Sequence, residues 1–76
     1  MNDKLFQILA DTFGVEKSAL NAGSSVENTP AWDSVAHLNL VLSLERAYGH
    51  RFSTDEFMQM QSVSAIERVL ADHGIA

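Results

Sequence analysis

Ser34 is the residue on which chemistry is most readily built in this chain. It follows Asp33 directly and opens a long apolar stretch, Ser34 to Tyr48. An aspartate just ahead of such a run is a preferred helix N-cap, because its carboxylate accepts from the unpaired N–H groups of the first turn. Ser34 then becomes the first helical residue, where those N–H groups and the macrodipole favour an anion. A phosphate esterified to its hydroxyl would lie in a favourable field. Taken alone, however, an Asp-Ser pair in this position reads as a helix cap and nothing more.

The other reactive side chains organise less well. His37, His50 and His73 stand 13 and 23 residues apart, which matches no local metal motif. His37 lies one turn beyond Ser34 and can touch a group attached there; a solvated or partner-facing histidine is the ordinary expectation. Glu27, Asp55 and Glu56 lack the dense oxygen-ligand spacing of a calcium loop. Ser62 and Ser64 read as helix caps, since no base is placed by sequence to activate them. Nothing around Ser34 forms a nucleophile–base–acid triad, so a hydrolase is rejected and the chain is not expected to be an enzyme. There is no cysteine, hence no thiolate and no disulfide framework, which suits a reducing cytoplasm.

The elements that must position these residues follow from pattern. With 76 residues, 46% of them apolar, the chain fits one small domain spanning residues 1–76, with little room for both a core and a deep active site. Leu5, Ile8, Leu9 and Phe13 fall at helical spacing between Asp3 and Phe13, and Gly14 supplies a stop. Residues 15–33 are rich in turn formers and make an unusually long connection. Val15, Leu20, Val26 and Trp32 are expected to pin it to the core, with a short helical turn around Lys17–Asn21. The second helix runs from Ser34 to Tyr48 and stops at Gly49. Val35, Leu38, Val41, Leu44 and Tyr48 form one stripe, widened by Leu40 and Leu42, so this helix is buried on more than one side or presents apolar surface to partners. Ser53-Thr54-Asp55-Glu56 has the form of a capping box before a short third helix, and Ser64-Ala65-Ile66-Glu67 offers another. The last helix starts near Ser62 or Ser64, lines Val63, Ile66, Val69 and Leu70 along one face and ends at Gly74. No stretch alternates as strands do. The expected fold is all-α: a four-helix antiparallel bundle with a short third helix and a long loop between helices one and two.

Charge and hydropathy narrow the partners. The formal net charge of −5 disfavours nucleic acid and suits basic protein surfaces. Met1-Asn2-Asp3-Lys4 has neither the basic start nor the apolar run of a signal peptide, and no segment is long and apolar enough to span a membrane. A cytoplasmic protein is expected.

The run from Asp33-Ser34-Val35 through Leu44-Glu45 to Tyr48-Gly49 resembles the acyl carrier protein family, in which an aspartate-serine pair starts the second helix, followed by apolar positions, a leucine-glutamate pair, an aromatic residue and glycine. The resemblance covers essentially the whole chain: Phe13-Gly14 closes the first helix, Phe52-Ser53 leads to the third and Ser62-Val63 to the fourth. It implies that Ser34 carries a 4′-phosphopantetheine arm, transferred from coenzyme A by a phosphopantetheinyl transferase that uses Mg2+. Asp33 then caps the helix and serves transferase recognition. The thiol of the arm would hold acyl groups as thioesters for acyl-activating ligases, synthases or acyltransferases, which usually meet this family with basic patches. Trp32, Val35, His37, Leu38 and Glu45 are the candidates for facing a partner or touching the arm, although packing over the loop is favoured for Trp32. Leu38, Leu42, Phe57, Met58, Met60 and Ile66 are the candidates for an acyl pocket, with core filling as the default for the methionines. A carrier that docks in turn with several enzymes is expected to be a monomer.

The chain departs from the family where fatty-acid-synthesis carriers bear acidic residues along helix two. Here those positions hold Ala36, His37, Asn39 and Arg46, with Glu45 retained, and Ala31-Trp32 precedes the aspartate in place of glycine and a small residue. A specialised carrier with a dedicated ligase or transferase is therefore expected, in a pathway such as cell-surface polysaccharide or secondary-metabolite synthesis. An aminoacyl or peptidyl carrier shares this architecture. From another class, a helical interaction module without any arm would use the apolar second helix as a groove-binding surface.

Overall fold

The computed structural model describes residues 3–75. Helix α1 spans Asp3–Phe13, where Leu5, Phe6, Leu9, Ala10 and Phe13 recur every three to four positions and are all buried. Gly14 ends it in the left-handed conformation at φ 66°, which costs glycine nothing. The long connection contains a single 3-10 turn at Lys17–Ala19. It is nevertheless an ordered segment. Leu20 and Trp32 are buried, and Val15 and Val26 pack against the core, as the sequence implies. Its polar groups are satisfied locally: the Asn21 side-chain oxygen accepts from Gly23 N–H at 2.7 Å, and the Asn28 amide joins Ser25 N–H to Gly23 O at 2.9 Å each.

Helix α2 spans Ser34–Tyr48, between the Asp33 cap and left-handed Gly49. Helix α3, Thr54–Gln59, is short and starts on the full capping box: Ser53 Oγ accepts from Glu56 N–H at 3.1 Å while Glu56 Oε1 accepts from Ser53 N–H at 2.8 Å. Helix α4, Val63–Asp72, is capped by Ser62, whose Oγ accepts from Ala65 N–H at 3.1 Å. Ser64 is not a cap. Its hydroxyl donates to Ala22 O at 3.0 Å and ties α4 to the long loop. Two backbone bonds reinforce that tie, Val26 N–H to Gln61 O at 3.1 Å and Val63 N–H to Ser24 O at 2.9 Å, around an isolated bridge between Ser25 and Ser62. Among the described residues there is no strand, and the protein is a four-helix all-α fold.

The core draws on α1, α2, α4 and the loop, with Phe57 of α3 packed against it. Leu5, Leu9, Leu40, Leu44, Met60, Val63, Ile66 and Leu70 are sealed from solvent. The orientation of α2 differs from the stripe suggested by its apolar residues. Its inner face is His37, Leu40, Val41 and Leu44, while Val35, Leu38 and Leu42 point outward at 70%, 49% and 42% exposure. Both stripes have helical spacing; what turns His37 inward is that the interior supplies hydrogen-bond partners for its ring.

Between the connection that follows α2 and the end of α4, the rings of His50, Phe52 and His73 meet. The His73 ring lies edge-on to His50 and Phe52, with centroids 5.4 and 5.0 Å apart, and its Nε2 is 2.7 Å from Glu56 Oε2. The Ser53 N–H bond first, and the His73 contact next, hold the Glu56 carboxyl below its ordinary value of 4.5. A depressed carboxyl stabilises the fold above its unfolded value and loses that contribution as pH falls through the folded one. The melting-temperature advantage of wild type over Glu56→Gln is thus expected at neutral pH and should close as the pH is lowered through and below the ordinary carboxylate range. An advantage independent of pH would remove the carboxylate from this account.

Candidate functional site

The N-terminus of α2 is built by one residue. Asp33 sits in extended backbone, its Oδ1 accepts from Ala36 N–H at 2.9 Å, and its own carbonyl accepts the first helical bond from His37 N–H at 2.8 Å. That pins the helix start so that Ser34 is the first helical residue and is exposed. Replacing Asp33 by alanine is expected to cost about 1 kcal/mol, measured by urea denaturation, and to fray the turn that presents Ser34. No loss of stability would mean that the cap is not formed in solution.

Beside Ser34 lies an open cleft of about 420 Å³, with Trp32, His37 and Phe57 on its walls and Asp33 and Gln61 supplying polar atoms. A second cleft of about 450 Å³ lies within the long loop, around Val15, Leu20 and Pro30, and none of its lining side chains ionises. The chemistry-bearing residues therefore converge on the first.

Its floor is a chain of hydrogen bonds that sequence spacing does not reveal. Trp32 Nε1–H donates to His37 Nδ1 at 3.0 Å, and His37 Nε2 is 2.8 Å from Phe57 O. Indole is a donor only and a carbonyl an acceptor only, so Nδ1 is the bare nitrogen and Nε2–H donates to Phe57 O. The rings pack as well: Phe13 to Trp32 at 5.0 Å, Trp32 to His37 at 6.2 Å, and His37 edge-on to Phe57 at 4.7 Å. This strut links α1, the loop, α2 and α3. Trp32 is 3% exposed and His37 6%. Trp32 packs as favoured, and the expectation that His37 is solvated or partner-facing is corrected: burial of an indole requires an acceptor, and His37 is the one within reach. The signal available in the sequence was that requirement, applied to a tryptophan already assigned to packing.

The remaining candidates separate into two groups. Val35 and Leu38 lie on the outer face of α2 and are open to a partner. Glu45 is instead half-buried and braces the segment before α3, where its Oε2 accepts from Phe52 N–H at 2.8 Å. The six acyl-pocket candidates do not come together. Leu38, Leu42 and Met58 face solvent, Met60 and Ile66 are closed into the core, and only Phe57 lines the cleft. Helix α2 buries His37 on its inner face, which leaves Leu38 and Leu42 exposed. Among the described residues no group of histidine and carboxylate side chains could hold a metal ion, and no helix is long and apolar enough to cross a membrane.

No family model matches the chain. It is 31% identical over 72 residues to an acyl carrier protein of Coprothermobacter proteolyticus, covering 90% of this chain and 88% of that one. The solution structure of the holo acyl carrier protein of Geobacter metallireducens superimposes with a TM-score of 0.80 at 28% identity, over 92% of this chain and 80% of that one. By this identity over nine-tenths of its length, and by the matching helical fold, this chain belongs to the acyl carrier protein family.

Proposed function

We propose that Ser34 is the attachment point of a 4′-phosphopantetheine arm, and that the chain is a carrier on which other enzymes act. The observation that carries this reading is the exposed Ser34 hydroxyl at the capped start of α2, beside an open cleft. A phosphodiester fits there: the first N–H groups of a 15-residue helix favour the anion, and the exposed serine leaves room for a transferase. The holo state of the Geobacter metallireducens neighbour supports the same modification here. Ser34 Oγ would attack the β-phosphorus of coenzyme A within a Mg2+-dependent transferase, which takes the proton and releases the nucleotide portion. The arm, once bound, supplies the thiol that this cysteine-free chain lacks, so that acyl groups travel as thioesters. Tethering then raises their concentration at a docked enzyme.

The outer face of α2 supports a specialised partner set. It offers Val35, Leu38, Asn39, Leu42 and Arg46, so a dedicated ligase or transferase would find apolar contacts where a fatty-acid-synthesis carrier offers carboxylates. The test is intact-mass spectrometry after incubation with a broad-range transferase, Mg2+ and coenzyme A. One arm is expected per chain. An unmodified mass with several transferases would favour the interaction-module reading, and indiscriminate loading of the holo chain by general fatty-acid synthase enzymes would defeat the specialised one.

A further inference from the structure

The strut bears on what the arm carries, an argument that rests on Ser34 being the attachment point. At the cleft, the bond from His37 to Phe57 O spans α2 and α3. Each polar atom along the strut is paired with another member of it: indole N–H, both imidazole nitrogens and the carbonyl. An alkyl chain entering there would separate those atoms and offer no hydrogen bond in exchange. Leu40, Met60 and Ile66 are fully buried and none of them lines the cleft, so the opening stops at the strut. On the near side the walls are mixed, with the Asp33 carboxylate and the Gln61 amide beside Val26 and Phe57. Those groups suit an acyl group that can itself donate or accept hydrogen bonds.

We infer that the Trp32–His37–Phe57 strut excludes long aliphatic cargo from the core, and that the group carried on Ser34 is a short or polar acyl or aminoacyl unit held at the surface cleft. The strut makes His37 a specificity-determining residue without touching the reacting thioester.

The test uses the whole chain with 13C-labelled Met60 and Ile66 methyls. The chain is compared bearing the arm alone, an acetyl thioester and an octanoyl thioester. Octanoyl is expected to leave both methyl resonances and the melting temperature where the arm alone leaves them. An octanoyl-specific shift of either methyl together with a raised melting temperature would overturn the inference. A Trp32→Phe, His37→Leu double variant removes the polar strut while keeping apolar bulk, and should acquire the octanoyl-dependent shift. If that variant does not fold, the wild-type comparison decides alone. If Ser34 accepts no arm, the attachment reading falls and takes the cargo class with it. The strut is still tested on the unmodified chain, where 15N shifts of His37 should show a bare Nδ1 and a protonated Nε2; the opposite tautomer would refute it.

Discussion

Truncating Trp32 to alanine is expected to lower the unfolding free energy by about 3–5 kcal/mol, the range for deleting a buried large aromatic side chain. The side chain is 3% exposed and stacks on Phe13 at 5.0 Å. It also donates to His37 Nδ1, at 3.0 Å. A domain of this size has a stability near the lower end of about 5–15 kcal/mol, so the variant should be close to its unfolding midpoint at room temperature. Far-UV circular dichroism in urea gives the measurement. Trp32→Phe separates the two contributions. It keeps most of the packing but leaves a buried nitrogen unpaired, at a cost of about 1–3 kcal/mol. A loss below about 1 kcal/mol for the alanine variant would place Trp32 outside the core.

Replacing Ser34 by alanine is expected to do the reverse: complete loss of arm addition with stability within about 0.5 kcal/mol of wild type. Ser34 is exposed and the cap belongs to Asp33, whose carboxylate takes the Ala36 N–H whatever side chain follows. Intact mass after transferase treatment reads the first effect and a urea melt the second. An arm on both forms would move the attachment to another hydroxyl. A variant that unfolds would show that Ser34 also serves the fold.

The helices and their ends were legible because local chemistry sets them. Asp3 to Phe13 and Ser34 to Tyr48 are bounded by Gly14, Asp33 and Gly49, and the structure keeps those limits. The Ser53–Glu56 box is equally local. Rotation of α2 was not legible. The residues 35, 38 and 42 form as good an apolar stripe as 40, 41 and 44, and the choice between them is made by neighbours distant in sequence. Counting His37 as polar placed it outside, when the indole five residues earlier and the Phe57 carbonyl twenty residues later gave it an interior. The fourth helix shows the same limit: Ser62 and Ser64 are both good caps in sequence, and Ser64 is diverted by the carbonyl of Ala22. The clustering of His50 and His73 likewise exists only once α3 and α4 have packed. The reading of Ser34 as an attachment point came only through the family pattern, since its own surroundings describe an ordinary capped helix.

The seam between the long loop and the start of α4 has a temporal consequence. Ser24 and Val26 are held by Val63 and Gln61, residues 39 and 35 positions later in the chain. During synthesis α1 and α2 can coil as soon as they emerge, because their contacts are local. The loop in front of Ser34 cannot settle until the beginning of α4 has left the ribosome. Whatever acts on Ser34 therefore meets an ordered loop only in chains whose last helix has begun to pack.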